Sequence, residues 1–202
     1  MEQIEMRKFS TILCTILVAG LWACGGQTED EGMEADTTAM EDTTAMAPDE
    51  GAAGAMSTPE WMTVDATAMT VTMDIQAGGS DVNNYWNYNG LYAGHGSISV
   101  PTGYSVTINF TNADPTQPHS LGIDEAQESW PATFDAPEPA FAGAITPDPT
   151  VGTAPGGTAT MTFTADAAGD YSMVCYVPGH AVAGMHIPFT VTDGGTPGAA
   201  TM

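Results

Sequence analysis

The sequence predicts an all-β domain, a two-sheet β-sandwich with Greek-key connections, carried on a disordered N-terminal tether. Three observations lead there. Polar and apolar residues alternate in four separate segments, which is the period of a half-buried strand. Turn-forming Gly, Pro and Asp separate these segments at short intervals. No stretch shows an amphipathic helical period of convincing length.

The alternating segments are residues 69–75, 105–111, 158–164 and 187–192. Shorter strands are expected at 97–100, 119–123 and 171–175. Pro101-Thr102-Gly103, Asp114-Pro115 and the Gly-bearing turns at 154–157 and 168–170 punctuate them. Val106, Ile108, Phe110, Met161, Phe163 and Phe189 fall on inward positions and form the expected core. Residues 124–153 carry five prolines and read as one long ordered loop.

The N-terminal region has a different composition. Met6-Arg7-Lys8 is a short basic start, followed by an apolar run too short to span a bilayer comfortably. Leu21-Trp22-Ala23-Cys24 resembles the lipobox of bacterial lipoprotein signal peptides, which implies cleavage before Cys24 and a lipid on its sulfur. An N-terminal transmembrane anchor is the competing reading. Glu2 and Glu5 ahead of the basic pair are atypical of an export signal and point to initiation at Met6. The expected organisation is therefore a signal peptide at 1–23, a lipidated, acidic Met/Thr/Ala-rich tether at 24–60, a folded domain at 61–193 and a flexible tail at 194–202. The tether repeats Asp-Thr-Thr-Ala-Met at 36–40 and 42–46 and has neither strand nor helix period.

Charge removes several classes of ligand. The chain has 2 Lys+Arg against 25 Asp+Glu, and Arg7 and Lys8 are the two cations. After cleavage no cation remains to neutralise phosphates, so nucleic acid is excluded as a partner. Anionic lipid surfaces fail for the same reason. A net charge of −23 repels itself at ordinary ionic strength. In molar salt the Debye length is only about 3 Å, and the acidity reads as a halophilic adaptation.

Three cysteines occur, and export leaves Cys175 as the one free thiol. A lone thiol in an oxidising compartment needs an occupant, and its neighbours suggest a metal. Residues 175–185 offer a thiolate at Cys175, an imidazole at His180 and a thioether at Met185, in a loop between two strands. His119 supplies an upstream imidazole just after Pro118. Two His, one Cys and a Met form the trigonal set with a weak axial donor that marks blue copper. Zinc prefers four stronger ligands and gains nothing from Met. Amides near Ser120 and in the Pro178-Gly179 turn are expected to bond the sulfur. His95 and His186 are left outside the set, and Trp86, Tyr88 and Trp130 are read as packing.

These motifs resemble those of the cupredoxins, and within them the sulfocyanin type. The resemblance rests on Cys175 to Met185, on Pro118-His119-Ser120-Leu121 and on Phe141-Ala142-Gly143-Ala144. Trp86-Asn87-Tyr88-Asn89-Gly90 and Val100-Pro101-Thr102-Gly103-Tyr104 add to it, and it covers roughly residues 69–193. Departures are His186, where an aromatic is commoner, and Tyr176, which is bulkier than usual. The resemblance implies a cupredoxin-like sandwich with one type 1 copper ion, acting as an electron carrier and not as an enzyme. With the lipobox it implies a monomer anchored to a membrane on the extracytoplasmic, periplasmic side, exchanging electrons with redox proteins of a respiratory chain. A periplasmic copper chaperone or copper-storage protein is the alternative. A nitrite-reductase-type enzyme needs a second set of His, and the chain has only four. A binuclear copper domain needs a second Cys in the loop, and none is there.

Overall fold

In the computed structural model, which describes residues 55–201, alternation becomes two packed sheets. The first sheet holds β1 (Met62–Asp65), β2 (Thr70–Ala77), β4 (Ser105–Asn112) and β6 (Thr158–Thr164), in the order β1-β2-β4-β6. The second holds β3 (Ser97–Pro101), β5 (Gly122–Glu125), β7 (Gly169–Val174), β8 (His186–Thr192) and β9 (Gly198–Ala200), in the order β5-β7-β8-β3-β9. Successive strands change sheet repeatedly, as Greek-key connections require. The pairs β2/β4 and β3/β8 are parallel and the others antiparallel.

The pleat sends every second side chain inward. Val71, Met73, Ile75 and Ala77 of β2 meet Val106, Ile108 and Phe110 of β4, all buried. Ile187, Phe189 and Val191 of β8 face them from the other sheet, and Phe163 and Phe189 approach across the gap with ring centroids 6.3 Å apart. The six expected core residues are all buried. Each such side chain contributes about 1.5–3 kcal/mol by leaving water. None of this core requires a metal.

Three expectations change. The strand expected at 119–123 begins only at Gly122, because Pro118 has no N–H and His119 pairs instead with Thr153 (N–H···O 3.1 Å, reciprocal bond 2.7 Å). Strand β1 was not anticipated; at four residues it is too short to display a period. The tail expected to be flexible from 194 contains β9, whose Gly198, Ala199 and Ala200 are buried against β3. Ser57, inside the expected tether, brackets that strand through two bonds with Ala199 (2.9 and 2.8 Å). Small residues with little strand propensity join the sheet because the edge of β3 presents unpaired backbone groups. The signal peptide at 1–23, Cys24 and the tether up to 54 lie outside the described residues.

Candidate metal centre

Two connections at one end of the sandwich build the site. The first follows β4. At its end the buried Asn112 donates from Nδ2 to the carbonyls of Gln117 and Thr153 (both 2.8 Å) and accepts from the Asp114 amide (3.0 Å). These bonds fold the turn and deliver His119. Tyr88, fully buried, donates its hydroxyl to the Ser120 carbonyl (2.7 Å) and fixes the chain just beyond.

The second connection is residues 175–185, between β7 and β8. It closes on itself through Cys175 N–H to Met185 O (3.1 Å) and Met185 N–H to His180 O (2.9 Å). Gly179 (φ 86°) and Gly184 (φ 99°) take the left-handed conformations that let so short a loop curl. Asn83 ties it to the rest by donating to the Ala183 carbonyl (3.3 Å). The Ser120 hydroxyl links both connections by accepting the Tyr176 amide (2.9 Å).

His119, Cys175 and His180 converge. One donor atom from each lies within 4.8 Å of the other two, and all three residues are buried. His119 Nδ1 stands 3.2 Å from His180 Nδ1, which stands 3.5 Å from Cys175 Sγ. The Ser120 amide points at the sulfur from 3.4 Å. The expected second amide, in the Pro178-Gly179 turn, is engaged elsewhere: Gly179 N–H donates to Ala132 O (2.8 Å). The Ser120 hydroxyl lies 3.7 Å from the same sulfur.

Burial dominates the electrostatics. It raises the Cys175 thiol above its ordinary value, and the amides of Ser120 and Val177 only partly offset that. It pushes the His180 imidazole down to about 4, assisted by the neighbouring His119 ring. His119 is also lowered by burial, against the pull of Asp114. Without a metal both rings are therefore neutral at neutral pH, with nitrogen lone pairs available.

Met185 is fully buried in the same core cluster as Cys175. His186 lies outside the group; its ring packs on Trp130 (centroids 5.6 Å). His95 stacks on Tyr92 (4.3 Å), away from the three. The bulk of Tyr176 is accommodated opposite Gly122, where a Cβ would come within 2.5 Å of its ring, and it meets Phe134 edge-on at 4.9 Å.

Two residues at the site were not foreseen. Asp114, read only as part of a turn, is 2% exposed and places Oδ2 2.9 Å from His119 Nε2. Its five-residue spacing from His119 was the available signal. Trp86, read as packing, stacks flat on the His180 ring (4.5 Å, 19°). The His180 residue is 4% exposed, with this indole against one face of its ring. Trp86 follows Asn83, Asn84 and Tyr85, three consecutive residues with φ of 47°, 56° and 67°, and is tied to Asn83 by bonds of 3.0 and 2.8 Å. Each such conformation costs on the order of 1 kcal/mol or more, a cost the surrounding bonds must sustain.

Comparison with known proteins identifies the family. The family model described as "Sulfocyanin (SoxE) domain" matches residues 57–199. The chain is 34% identical over 124 residues to sulfocyanin from Sulfolobus acidocaldarius, a match spanning 57% of this chain and 60% of that relative's length. Among solved structures it is similar to the auracyanin of the photosynthetic bacterium Roseiflexus castenholzii (30% identity, 60% of this chain and 96% of that one, TM-score 0.41). It is also similar to rusticyanin from Thiobacillus ferrooxidans (20% identity, 65% and 86%, TM-score 0.43). The family model covers well over half of the chain, which thus belongs to the sulfocyanin family.

Proposed function

We propose that this domain is a one-electron carrier in which His119, Cys175 and His180 would hold a single type 1 copper, with Met185 as a weaker fourth donor. The observation that carries this is the convergence of one buried thiol and two buried neutral imidazoles within 4.8 Å. The donors suit the group: a soft sulfur, two imidazoles that need lose no proton, and a thioether nearby in sequence. Copper, when bound, supplies one-electron chemistry by alternating between its +2 and +1 states.

The protein's own part is to fix and enclose. Cys175 would hold the metal as a thiolate, its proton released to solvent as the metal binds, and the Ser120 amide 3.4 Å away would steady the sulfur's charge. His119 and His180 are held by different connections and bring their Nδ1 atoms to 3.2 Å. Burial of Cys175 and Met185 (both 0% exposed) shuts out water and small chelators. That enclosure favours electron transfer over the copper chaperone or store, which must release its cargo.

The proposal extends to the chain as a whole: cleavage before Cys24, a lipid on its sulfur, and a tethered extracytoplasmic monomer serving redox proteins of a respiratory chain. Among the described residues no helix is long and apolar enough to cross a membrane. Intact-mass measurement of detergent-extracted protein tests the anchor, and an unlipidated chain retaining residues 1–23 would refute it.

The site is tested by a visible spectrum of the copper-loaded, oxidised protein. An intense blue or green band that Cys175→Ser abolishes, with unchanged far-ultraviolet circular dichroism, is the expected result. Colourless copper that a chelator strips readily would overturn the carrier reading in favour of a copper store.

A further inference from the structure

We infer that Asp114 is a positioning residue that fixes the tautomer of His119 and biases the site toward the more highly charged oxidised metal. The inference rests on the copper reading above but begins from a separate observation, the bonding of a buried carboxylate. Oδ1 of Asp114 accepts three bonds, from the amides of Thr116 (2.7 Å) and Gln117 (2.9 Å) and from the Thr116 hydroxyl (3.2 Å). Oδ2 is left for His119 Nε2 at 2.9 Å. Gly78 packs against the Asp114 backbone so closely that a Cβ there would come within 2.7 Å of the Asp114 Cβ, which fixes where the side chain starts, and the three bonds to Oδ1 fix where it points.

An anion buried to this degree is costly unless it is paired or fully hydrogen-bonded. The sequence contains no Lys or Arg after Lys8, so among the described residues no permanent cation can balance it. Hydrogen bonds satisfy it instead, and the His119 N–H is the bond that leads to the site. A carboxylate accepts and cannot donate, so the proton of a neutral His119 must sit on Nε2. Nδ1 is then a bare lone pair, and Nδ1 is the atom that faces His180 at 3.2 Å. The carboxylate does for His119 what second-sphere carboxylates do for metal-bound imidazoles generally: it sets orientation and raises basicity. Its negative charge, one imidazole away and poorly screened, stabilises a dipositive ion more than a monopositive one.

Replacing the carboxylate by an amide gives a sharp test. In Asp114→Asn a single oxygen must serve donors that two oxygens served before. Two backbone amides and a hydroxyl compete for it, so the oxygen stays with the loop and the NH2 group turns to His119 Nε2. His119 must then accept at Nε2 and carry its proton on Nδ1, where it obstructs the metal. Long-range proton–nitrogen correlation spectra of the copper-free, 15N-labelled protein read the tautomer directly. The expected result is Nε2–H in the unmutated protein and Nδ1–H in D114N. In the copper-loaded forms, D114N should lose about tenfold more affinity for Cu(II) than for Cu(I), which for a one-electron couple is a rise in potential of about 59 mV.

A proton on Nδ1 in the unmutated protein would overturn the inference, and needs no variant to be seen. An unchanged tautomer and unchanged relative affinity in a folded D114N would overturn it equally, since a merely structural Asp114 moves neither. The tautomer is measured without copper, so it answers for Asp114 alone. The charge-transfer band of the unmutated protein answers for the copper site.

Discussion

Acidifying the copper-free protein should destabilise it between pH about 6.5 and about 4, with His180 setting the window. An imidazole in the unfolded chain takes up a proton near 6.5, whereas burial and the His119 ring hold folded His180 down to about 4. Between those values the unfolded state binds a proton that the folded state refuses. Stability then falls as pH falls, and this contribution levels off below the folded value. The displacement corresponds to roughly 3 kcal/mol, a large part of a small domain's stability. His119 is lowered too and acts in the same direction. Asp114 loses its own contribution only at still lower pH, because its bonds to His119, Thr116 and Gln117 outweigh burial and keep its carboxyl below the ordinary value. The acidic surface works the other way: neutralising some of the 25 Asp+Glu relieves repulsion. Urea unfolding should therefore be followed in about 1 M salt, where that repulsion is screened beyond about 3 Å. The unmutated domain should lose stability from pH 7 to 4 faster than His180→Gln, with the two curves diverging by roughly 3 kcal/mol across the window. Parallel curves would refute the argument, because His180 would then titrate alike in both states.

Three further outcomes are expected. Met185→Leu, a nearly volume-conserving change, should keep the fold and the colour yet raise the potential by on the order of 59 mV, as loss of a weak donor weakens Cu(II) more than Cu(I); voltammetry showing no shift would remove Met185 from the ligand set. Gly122→Ala drives a Cβ to 2.5 Å from the Tyr176 ring and should cost about 1–3 kcal/mol in thermal unfolding, whereas a neutral result would mean the Tyr176 ring moves freely. Val182 is 57% exposed on the loop that carries His180, and Val182→Asp should slow electron exchange with the native partner about fivefold while leaving the copper spectrum alone. A stopped-flow rate that ignores this substitution but falls steeply with salt would make the acidic surface the docking face.

How much of this was legible in the sequence depended on the range of the interaction. Strands such as Ser105–Asn112 and Thr158–Thr164 announce themselves because each residue's environment alternates along a single strand. The Cys175, His180 and Met185 set was equally visible, since one short loop carries all three. β9 was not: Gly198, Ala199 and Ala200 have no strand signature, and only the open edge of β3 makes them a strand. What Asp114 and Trp86 touch at the site was hidden for a related reason. Asp114-Pro115 is a good turn sequence, and it does form a turn; its second oxygen, aimed at His119, is invisible without the fold. Trp86 reaches His180 across 94 residues of sequence, through a loop in which Asn83 and Asn84 tolerate the left-handed conformation but Tyr85 has no propensity for it.

The way the site is held bears on what it can do. Its residues come from separate parts of the chain, and the ties between those parts involve no metal. Tyr88 bonds the Ser120 carbonyl, Ser120 bonds the Tyr176 amide, Cys175 and Met185 close their loop backbone to backbone, and Trp86 lies against His180. A site assembled by folding alone does not need the ion's charge to define its shape, so a change of that charge by one unit has little structure to rearrange. Small rearrangement lowers the barrier to electron transfer, and it is costly for a carrier that must capture and release a metal, which works best when its ligands can open. The strain of three consecutive left-handed residues points the same way. A protein that sustains such a turn to keep an indole flat on one imidazole is spending stability on the fixity of His180, and fixity serves an electron more than it serves an exchanging ion.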